Sequence, residues 1–361
     1  MTGHGCGRTA LLAIVIVLTT CAGLGQSAGG AVPQATGDGS GVLRLWGYDG
    51  MRSLIERWEK GFQREHPGIR FKNTLPGAAA AMAGTYTGVA DISVMGRELW
   101  PNETMAFWWV YQYLPYGVQV VTSGLASPGQ SYSPVVMANA SNPLRSISLE
   151  QLDGIYGNEH RRGGKNLRVW GDLGLTGVWA NRPIHVYGYG VDDPLGVYFR
   201  KTVLLGDFKP NVSEHLLTDR TKGSSVAARM RAAVQSDPLA IGYGQLSSTQ
   251  DKESGGVKAL PLAAEPGGAV LPATEQSVSD RSYPLTRSLS FYVNRAPGKP
   301  LRPELLAFLR YVLSEEGQAM VAADGHFLPL APKLAQAETE ALTREKTAER
   351  DQGRSDAQDP Q

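Results

Sequence analysis

The sequence predicts an α/β protein whose central sheets are mostly parallel and flanked by helices. Short apolar runs alternate with amphipathic segments of helical spacing between residues 41 and 335. This alternation of strand and helix favours parallel pairing with right-handed crossovers. The chain has 361 residues, of which 42% are hydrophobic, so it can bury one large core or two smaller ones.

The first 31 residues are predicted to be a signal peptide. Arg8 precedes an apolar run at residues 10–18, and small residues follow, so that cleavage after Ser27 or Ala31 would fit. The run is short for a membrane span, and an uncleaved N-terminal anchor helix is the alternative. Residues 32–40 are predicted to be a linker.

Both cysteines, Cys6 and Cys21, lie in this segment, so we expect neither a disulfide nor thiol chemistry in the mature protein. Cys21 follows Leu18-Thr19-Thr20, which resembles a lipoprotein cleavage box, although Thr20 fits that box poorly. If cleavage occurs there, Cys21 is lipidated and becomes the first residue. The expected location is periplasmic or extracellular, with membrane contact only through that lipid.

The first half of the folded region alternates strand and helix in a regular order. Residues 42–46 are predicted to form a strand, and Gly47–Gly50 turns the chain. A helix follows, because apolar residues recur at helical spacing up to His66-Pro67-Gly68. Those apolar residues are Leu54, Ile55, Trp58 and Phe62. The elements predicted next are a strand at 69–73, a small-residue helix at 78–84 and a strand at 90–94.

The second half repeats this style. Ser148 is predicted to be the N-cap of a helix that ends near Ile155. The other predicted elements are strands at 134–138, 184–188 and 241–243, a glycine turn at 190–196, and helices at 305–313 and 314–323. Residues 336–361 are charged and lack aromatic residues, so we expect a disordered tail or a solvated helix that buries little.

Composition and motifs exclude several functions. The formal net charge is +1, which gives no electrostatic case for nucleic acid or an anionic membrane surface. The sequence has no nucleophile elbow, phosphate loop or paired-cysteine metal motif. The histidines are not paired at ligand spacing, and His185 within an apolar strand is better explained by packing or exposure. We therefore expect no catalysis, no cofactor and no metal site.

Two glycine turns are candidates for ligand binding. Gly47–Met51 and Gly188–Gly196 each connect a predicted strand to a predicted helix, where backbone amides and the helix dipole favour anions. Turns of this kind also serve simple chain reversal. If the two turns face each other, they enclose a small ligand.

Seven ordered segments resemble the phosphate-binding-protein-like substrate-binding proteins of ABC transporters, a branch of the type 2 periplasmic binding proteins. Together they cover about residues 41–332. The segments are Ala90–Leu99; Asn142–Leu144 with Ser148–Tyr156; Trp170–Leu173; Pro183–Gly188; Asp237–Tyr243; Ser282–Arg287; and Ser314–Gln318.

The resemblance implies a two-lobe type 2 periplasmic-binding-protein fold with a ligand cleft between the lobes. Lobe 1 would comprise residues 41–133 plus 285–335, and lobe 2 would comprise residues 134–284. The hinge would lie near Val135–Ala138 and Leu289–Val293, and closure over the ligand is the implied motion. The implied role is a monomeric solute-binding protein that delivers a small molecule or anion, with phosphate among the candidates, to an ABC transporter permease.

The loops depart from the family's phosphate-binding pattern. The first turn has no Ser or Thr, Gly96 replaces a polar acceptor, and residues 76–81 offer only Pro, Gly and Ala. Val191, Leu195 and Val197 replace the family's Arg, Ser and Thr. Fewer donors and added carboxylates disfavour an anion.

The ligand therefore stays open between phosphate, held by backbone amides and Arg97, and a different small solute. That other solute would be gripped by Trp46, Tyr48, Asp49, Arg97, Tyr189 and Asp193, although the aspartates could instead stabilise their own turns. The predicted ligand-binding residues are Tyr48, Asp49, Gly50, Met51, Arg97, Tyr189, Asp193 and Gly196. A sensor or scaffold that kept the fold but lost transport is a second hypothesis, and an enzyme on this fold is a third.

Overall fold

The computed structural model describes residues 41–125, 131–209, 211–218, 225–246 and 255–344. The predicted signal peptide, Cys21, the linker and the end of the tail lie outside the described residues. The strands are β1 (Val42–Gly47), β2 (Arg70–Thr74), β3 (Ile92–Met95), β4 (Tyr116–Ser123), β5 (Val135–Asn139), β6 (Ile147–Ser148), β7 (His185–Tyr189), β8 (Glu214–Leu217), β9 (Ala240–Gly244), β10 (Val257–Leu260), β11 (Leu262–Ala263), β12 (Val270–Leu271), β13 (Ser288–Val293) and β14 (Phe327–Leu328). The helices are α1 (Arg52–Glu65), α2 (Ala81–Tyr86), α3 (Pro101–Tyr111), α4 (Leu149–Tyr156), α5 (Pro194–Thr202), α6 (Val226–Ser236), α7 (Glu275–Ser279), α8 (Pro303–Leu313), α9 (Glu315–Asp324) and α10 (Pro332–Thr343).

Lobe 1 is built on a six-stranded sheet in the order β14-β4-β13-β3-β1-β2. The residues of β1 alternate between buried and half-buried, as expected for a strand with one face in the core. The apolar stripe predicted for α1 is confirmed, since Leu54, Ile55, Trp58 and Phe62 are all buried in the core of this lobe. The Trp58 indole donates to the carbonyl of Gly317 at 2.8 Å and so ties α1 to α9.

Lobe 2 is built on a five-stranded sheet in the order β10-β5-β9-β7-β8. A small sheet in the order β12-β11-β6 packs with it. The N-cap predicted at Ser148 is confirmed, because its hydroxyl accepts from the Gln151 amide at 3.1 Å and the Gln151 side chain accepts from the Ser148 amide at 2.9 Å. This reciprocal capping box fixes the start of α4.

The sheets are mixed, which corrects the prediction of mostly parallel sheets. In lobe 1, β1 is parallel to β2 and β3, but β13 is antiparallel to both β3 and β4. In lobe 2, β7 is parallel to β8 and β9, but β5 is antiparallel to β9 and β10. Strands β5 and β13, the first strands after the two crossings, each run antiparallel to both of their neighbours.

The lobes are joined by two crossings that differ from the predicted hinge. Val135–Ala138 and Leu289–Val293 lie within β5 and β13, so the crossings are instead the segments before these strands. Two hydrogen bonds join the crossings: Ser123 N–H to the Arg287 carbonyl at 2.8 Å, and Arg287 N–H to the Ser133 hydroxyl at 3.0 Å. A third, from Ser133 N–H to the Gly124 carbonyl at 2.8 Å, lies within the first crossing. Leu285, which was predicted to begin the second part of lobe 1, packs in the core of lobe 2.

The predicted tail boundary at residue 336 also differs from the structure. Helix α10 continues to Thr343 and buries Glu338, Ala341 and Leu342. Leu342 joins the core of lobe 1, and Gln119 on β4 donates to Glu338 at 3.1 Å. Apolar residues at helical spacing therefore outweigh the charged composition in this stretch.

No helix within the described ranges combines the length and the apolar character that crossing a membrane requires.

Candidate ligand site

The first predicted turn is closed by an aromatic side chain. Tyr48 follows β1, and its ring lies against Gly96, where an added Cβ would come within 2.5 Å of the ring. The Tyr48 hydroxyl accepts from the Ser131 amide at 3.1 Å, and the Ser131 hydroxyl donates to the Gly96 carbonyl. Burial raises the pKa of Tyr48, so it stays a neutral phenol at neutral pH. Gly96, which lacks the polar acceptor of the family, is thus the platform for this ring.

The other predicted residues of that turn differ in their exposure to solvent. Asp49 is exposed and Gly50 is half-buried, so both lie at the surface of the turn that precedes α1. Met51 is fully buried in the core of lobe 1. The Met51 side chain therefore anchors the turn by packing, and the ligand-binding role predicted for this residue is left to its backbone.

Arg97 is buried and engaged by its own loop. Its guanidinium forms a two-pronged ion pair with Glu103, at 2.6 and 2.7 Å, and also donates to the Glu98 carbonyl at 2.9 Å. The guanidinium carbon lies 4.2 Å from the centre of the Trp100 ring. These contacts hold the loop after β3 against the start of α3. An anion would have to compete with Glu103 for this cation.

The second predicted turn is also closed by its own residues. Asp193 is the N-cap of α5 and accepts from the Leu195 amide at 2.8 Å. A Cβ on Gly196 would come within 2.4 Å of the Gly190 carbonyl, so glycine is required for the turn to close. Tyr189 is 2% exposed, and its ring packs 5.2 Å from that of Tyr243.

Arg287 is a central residue that the sequence analysis did not single out. It forms a two-pronged ion pair with Glu98, at 2.9 and 2.7 Å, and lies over the Tyr198 ring. Burial opposes the charge of Arg287, but the Glu98 carboxylate outweighs it and holds the pKa of Arg287 above its usual value. Its charge also acts on Tyr48 and on Tyr132, whose pKa burial raises to about 12.

Electrostatic interactions therefore couple residues of both lobes and of the crossings near Arg287. Tyr132 and Arg287 come from the two crossings, Tyr48 from lobe 1, and Asp193, which acts on Tyr132, from lobe 2. Arg287 ends Ser282–Arg287, one of the segments that resemble the family, so the sequence did point to this residue. No rule of sequence spacing, however, pairs Arg287 with Glu98.

A cavity of about 320 Å³ is lined in part by Arg97, Glu98 and Leu99 of the loop after β3. Strands β4 and β13 and helix α3 line it from lobe 1, and α5 lines it from lobe 2. Five of its lining residues are charged: Arg97, Glu98, Lys201, Arg281 and Arg287. Of the eight predicted ligand-binding residues, only Arg97 reaches this cavity.

The described residues contain no cluster of three or more His, Cys, Asp or Glu side chains that could hold a metal ion. His185 is partly exposed, and its Nδ1 lies 2.7 Å from a carboxylate oxygen of Asp237. This pair holds β7 to the turn before β9. The two lobes, with loops that meet at their junction, define a two-lobed α/β binding protein.

Comparison with known proteins agrees with this class. Residues 26–316 match the family model described as PBP superfamily domain, and the chain belongs to this family. It is 32% identical over 299 residues to the phosphate-binding protein PstS of Pseudomonas aeruginosa, covering 82% of this chain and 85% of that protein. It is 25% identical over 299 residues to protein SphX of Synechococcus elongatus, covering 81% of this chain and 79% of that protein.

Solved structures share the fold. The crystal structure of PstS from Borrelia burgdorferi matches with a TM-score of 0.52 at 14% identity, over 80% of this chain and 99% of that one. An ABC-type phosphate transport receptor from Vibrio cholerae matches with a TM-score of 0.50 at 17% identity, over 79% of this chain and 99% of that one. The family resemblance predicted from the seven segments is therefore confirmed.

Proposed function

We propose that this chain is an exported, non-catalytic solute-binding protein that captures a small ligand, phosphate or a related solute, between its lobes for an ABC-type transporter. The 32% identity over 299 residues to a protein named for phosphate binding carries the proposal. The loops after β1, β3 and β7 support it, because ligands of α/β sheets bind at the carboxyl ends of parallel strands. A periplasmic or extracellular location, a permease partner and a monomeric state belong to the same proposal.

The chemistry of the loops determines how phosphate would be held. The turn at Asp49–Met51 has no side-chain cap, so its amides and the dipole of α1 favour an anion there. Arg97 and Arg287 are each paired with a carboxylate, at 2.6 and 2.7 Å respectively. Backbone amides would therefore do most of the binding, and exposed Asp49 would oppose it.

Thermal unfolding of the purified protein in phosphate-free buffer tests this function. Phosphate at a hundred times its dissociation constant stabilises a protein by about 2.7 kcal/mol, which raises the melting temperature by a few degrees. We expect a saturable shift with phosphate. We expect Asp49→Asn to tighten phosphate binding and Glu65→Gln, an exposed charge change at the far end of α1, to leave it unchanged. If the melting temperature does not change at phosphate concentrations up to 10 mM, phosphate is not the ligand.

A sensor or scaffold role is the second candidate. It is favoured by the way the loops close on themselves: Tyr48 covers Gly96, Glu103 occupies Arg97, and Asp193 caps α5. Such a protein would present one conformation to a protein partner instead of releasing a solute. Affinity capture from the native membrane tests it, and recovery of a transporter permease alone would speak against it.

A further inference from the structure

The donors that the loops lack are present in the cavity behind them. Lys201 and Arg281 line it together with hydroxyl groups from both lobes and the crossing. Those hydroxyl residues are Thr104, Tyr198, Thr286, Ser288, Ser290 and Tyr292. A charged donor surrounded by neutral hydroxyls is a common arrangement for recognition of an oxyanion.

The cavity carries an excess of positive charge. Arg97 is neutralised by Glu103 and Arg287 by Glu98. The hydrogen-bond partners of Lys201 and Arg281, within the residues that the structure describes, are uncharged: the Leu99 carbonyl for Lys201, and the Ser288 hydroxyl at 2.5 Å for Arg281. The carboxylates of Glu98 and Glu103 act on Lys201, and that of Glu338 acts on Arg281, from beyond ion-pair distance. Two cations thus face one cavity without a carboxylate within ion-pair distance. Burial lowers the pKa of Lys201, and an anionic ligand would relieve this cost. Arg281 is exposed and lines the cavity from its solvent side.

The size and walls of the cavity favour a ligand with an organic body. Its volume of about 320 Å³ lies at the lower end of the range typical of small-molecule pockets, about 300–1,000 Å³. Leu99, Leu114 and Pro115 form an apolar wall of the cavity. An inorganic oxyanion would contact the cations and leave this wall unused.

We propose that this cavity binds a small organic anion, whose carboxylate or phosphate-ester group contacts Lys201 and Arg281 and whose carbon body packs against the wall of Leu99, Leu114 and Pro115. This ligand class and this surface differ from the phosphate and the loops of the proposed function. Lys201 and Tyr198 belong to α5 of lobe 2, whereas Ser288 and Ser290 belong to β13 of lobe 1. A bound anion would therefore link the lobes beside their crossings.

Isothermal titration of the purified protein tests the proposal with four probes: citrate, glycerol 3-phosphate, inorganic phosphate and glycerol. We expect saturable binding of citrate or glycerol 3-phosphate, with the stronger probe showing whether the acid group is a carboxylate or a phosphate ester. Lys201→Gln and Arg281→Gln should each weaken that binding by about tenfold, because each removes one charge-assisted contact. Lys72→Gln and Arg310→Gln are matched controls on exposed positions and should leave it unchanged.

Ser290→Leu supplies a second test that keeps both cations and fills the cavity, and it should also weaken binding. The proposal is overturned if neither organic anion binds, or if a bound one is insensitive to the cavity variants in folded protein. Binding of inorganic phosphate alone, unaffected by these variants, supports the proposed function at the loops and overturns the cavity site. Binding of an organic anion that depends on these residues, without phosphate binding, supports the cavity site and speaks against phosphate as the ligand of the loops.

Discussion

The loops at the strand ends and the cavity behind them have opposite chemistry. In the loops, the polar and glycine positions serve the chain itself: Tyr48 packs on Gly96, Asp193 caps α5, and Gly196 lies against a backbone carbonyl. In the cavity, Lys201 and Arg281 have only uncharged hydrogen-bond partners among the described residues. The consecutive residues Arg97 and Glu98 belong to the loop after β3 and also line the cavity, and each forms an ion pair. A binding fold can thus keep its loops closed and still offer charged groups in an adjacent cavity.

The largest expected effect comes from breaking the ion pair between Glu98 and Arg287. Arg287→Met leaves Glu98 without its partner, and an uncompensated carboxylate that is mostly buried costs about 3 kcal/mol or more of the free energy of unfolding. Urea denaturation measures the loss. The double variant Glu98→Gln with Arg287→Met should recover part of it, because no charge then remains. A loss below about 1 kcal/mol for the single variant would mean that the Glu98 carboxylate is solvated and that its ion pair contributes little to stability.

Gly196→Ala tests whether the second loop is closed by its backbone. The new methyl group would lie 2.4 Å from the Gly190 carbonyl, and relief of such a contact typically costs about 1–3 kcal/mol. Gly68→Ala is the control, since nothing lies within 4 Å of its Cβ position, and it should change stability by less than about 0.5 kcal/mol. Equal melting temperatures for the two variants would show that the loop has room for a ligand after all.

Tyr48→Phe removes one hydrogen bond from the first loop. The Ser131 amide, 3.1 Å from the Tyr48 hydroxyl, loses its acceptor, which should cost about 1 kcal/mol by urea denaturation. Tyr86→Phe is a suitable control, because the described part of the chain offers its hydroxyl no hydrogen-bond partner. If the two variants are equally stable, Ser131 is held by water instead of by Tyr48.

The smallest effect is a pH dependence that originates outside both regions. Burial raises the pKa of Glu59 on α1 from 4.5 to about 7, while a hydrogen bond from Asn73 opposes this and Glu56 adds to it. Folded protein then holds a proton that the unfolded chain has released, so Glu59 makes stability fall as pH rises from about 4.5 to about 7. Glu59→Gln should flatten this slope in melting temperature, whereas Glu65→Gln should not. An unchanged slope would assign the dependence to other groups, among them those of the cavity.

The sequence predicted local structure well, because local structure depends on periodicity and capping. The strand at 42–46, the stripe of α1 and the cap at Ser148 all follow from patterns within a few residues. Strand direction was not predictable, since an apolar run does not record which neighbour it pairs with. The burial of helix α10 in the core was missed because Ala335, Ala341 and Leu342 are separated by charged residues.

The site was only partly predictable, for a physical reason. Turns after strands can be located from glycines, but the partner of a charged side chain depends on the tertiary fold. Glu98 and Arg287 are separated by 189 positions, and Lys201 contacts a loop 102 positions earlier. Met51 was predicted to bind ligand because it belongs to a turn that was predicted to do so. The burial of its large apolar side chain at the start of a helix is explained by packing.

The order of strands in lobe 1 has a consequence for how the chain reaches its destination. Strand β3 lies between β1 and β13, and Ile92 pairs with Val293, so the sheet of lobe 1 is incomplete until β13 has been synthesised. Pairings between such distant segments form slowly, because the entropy of closing the long loop is lost before the contacts are gained. A chain that emerges from the ribosome would therefore stay largely unfolded in its first part, which is the state that the proposed export requires.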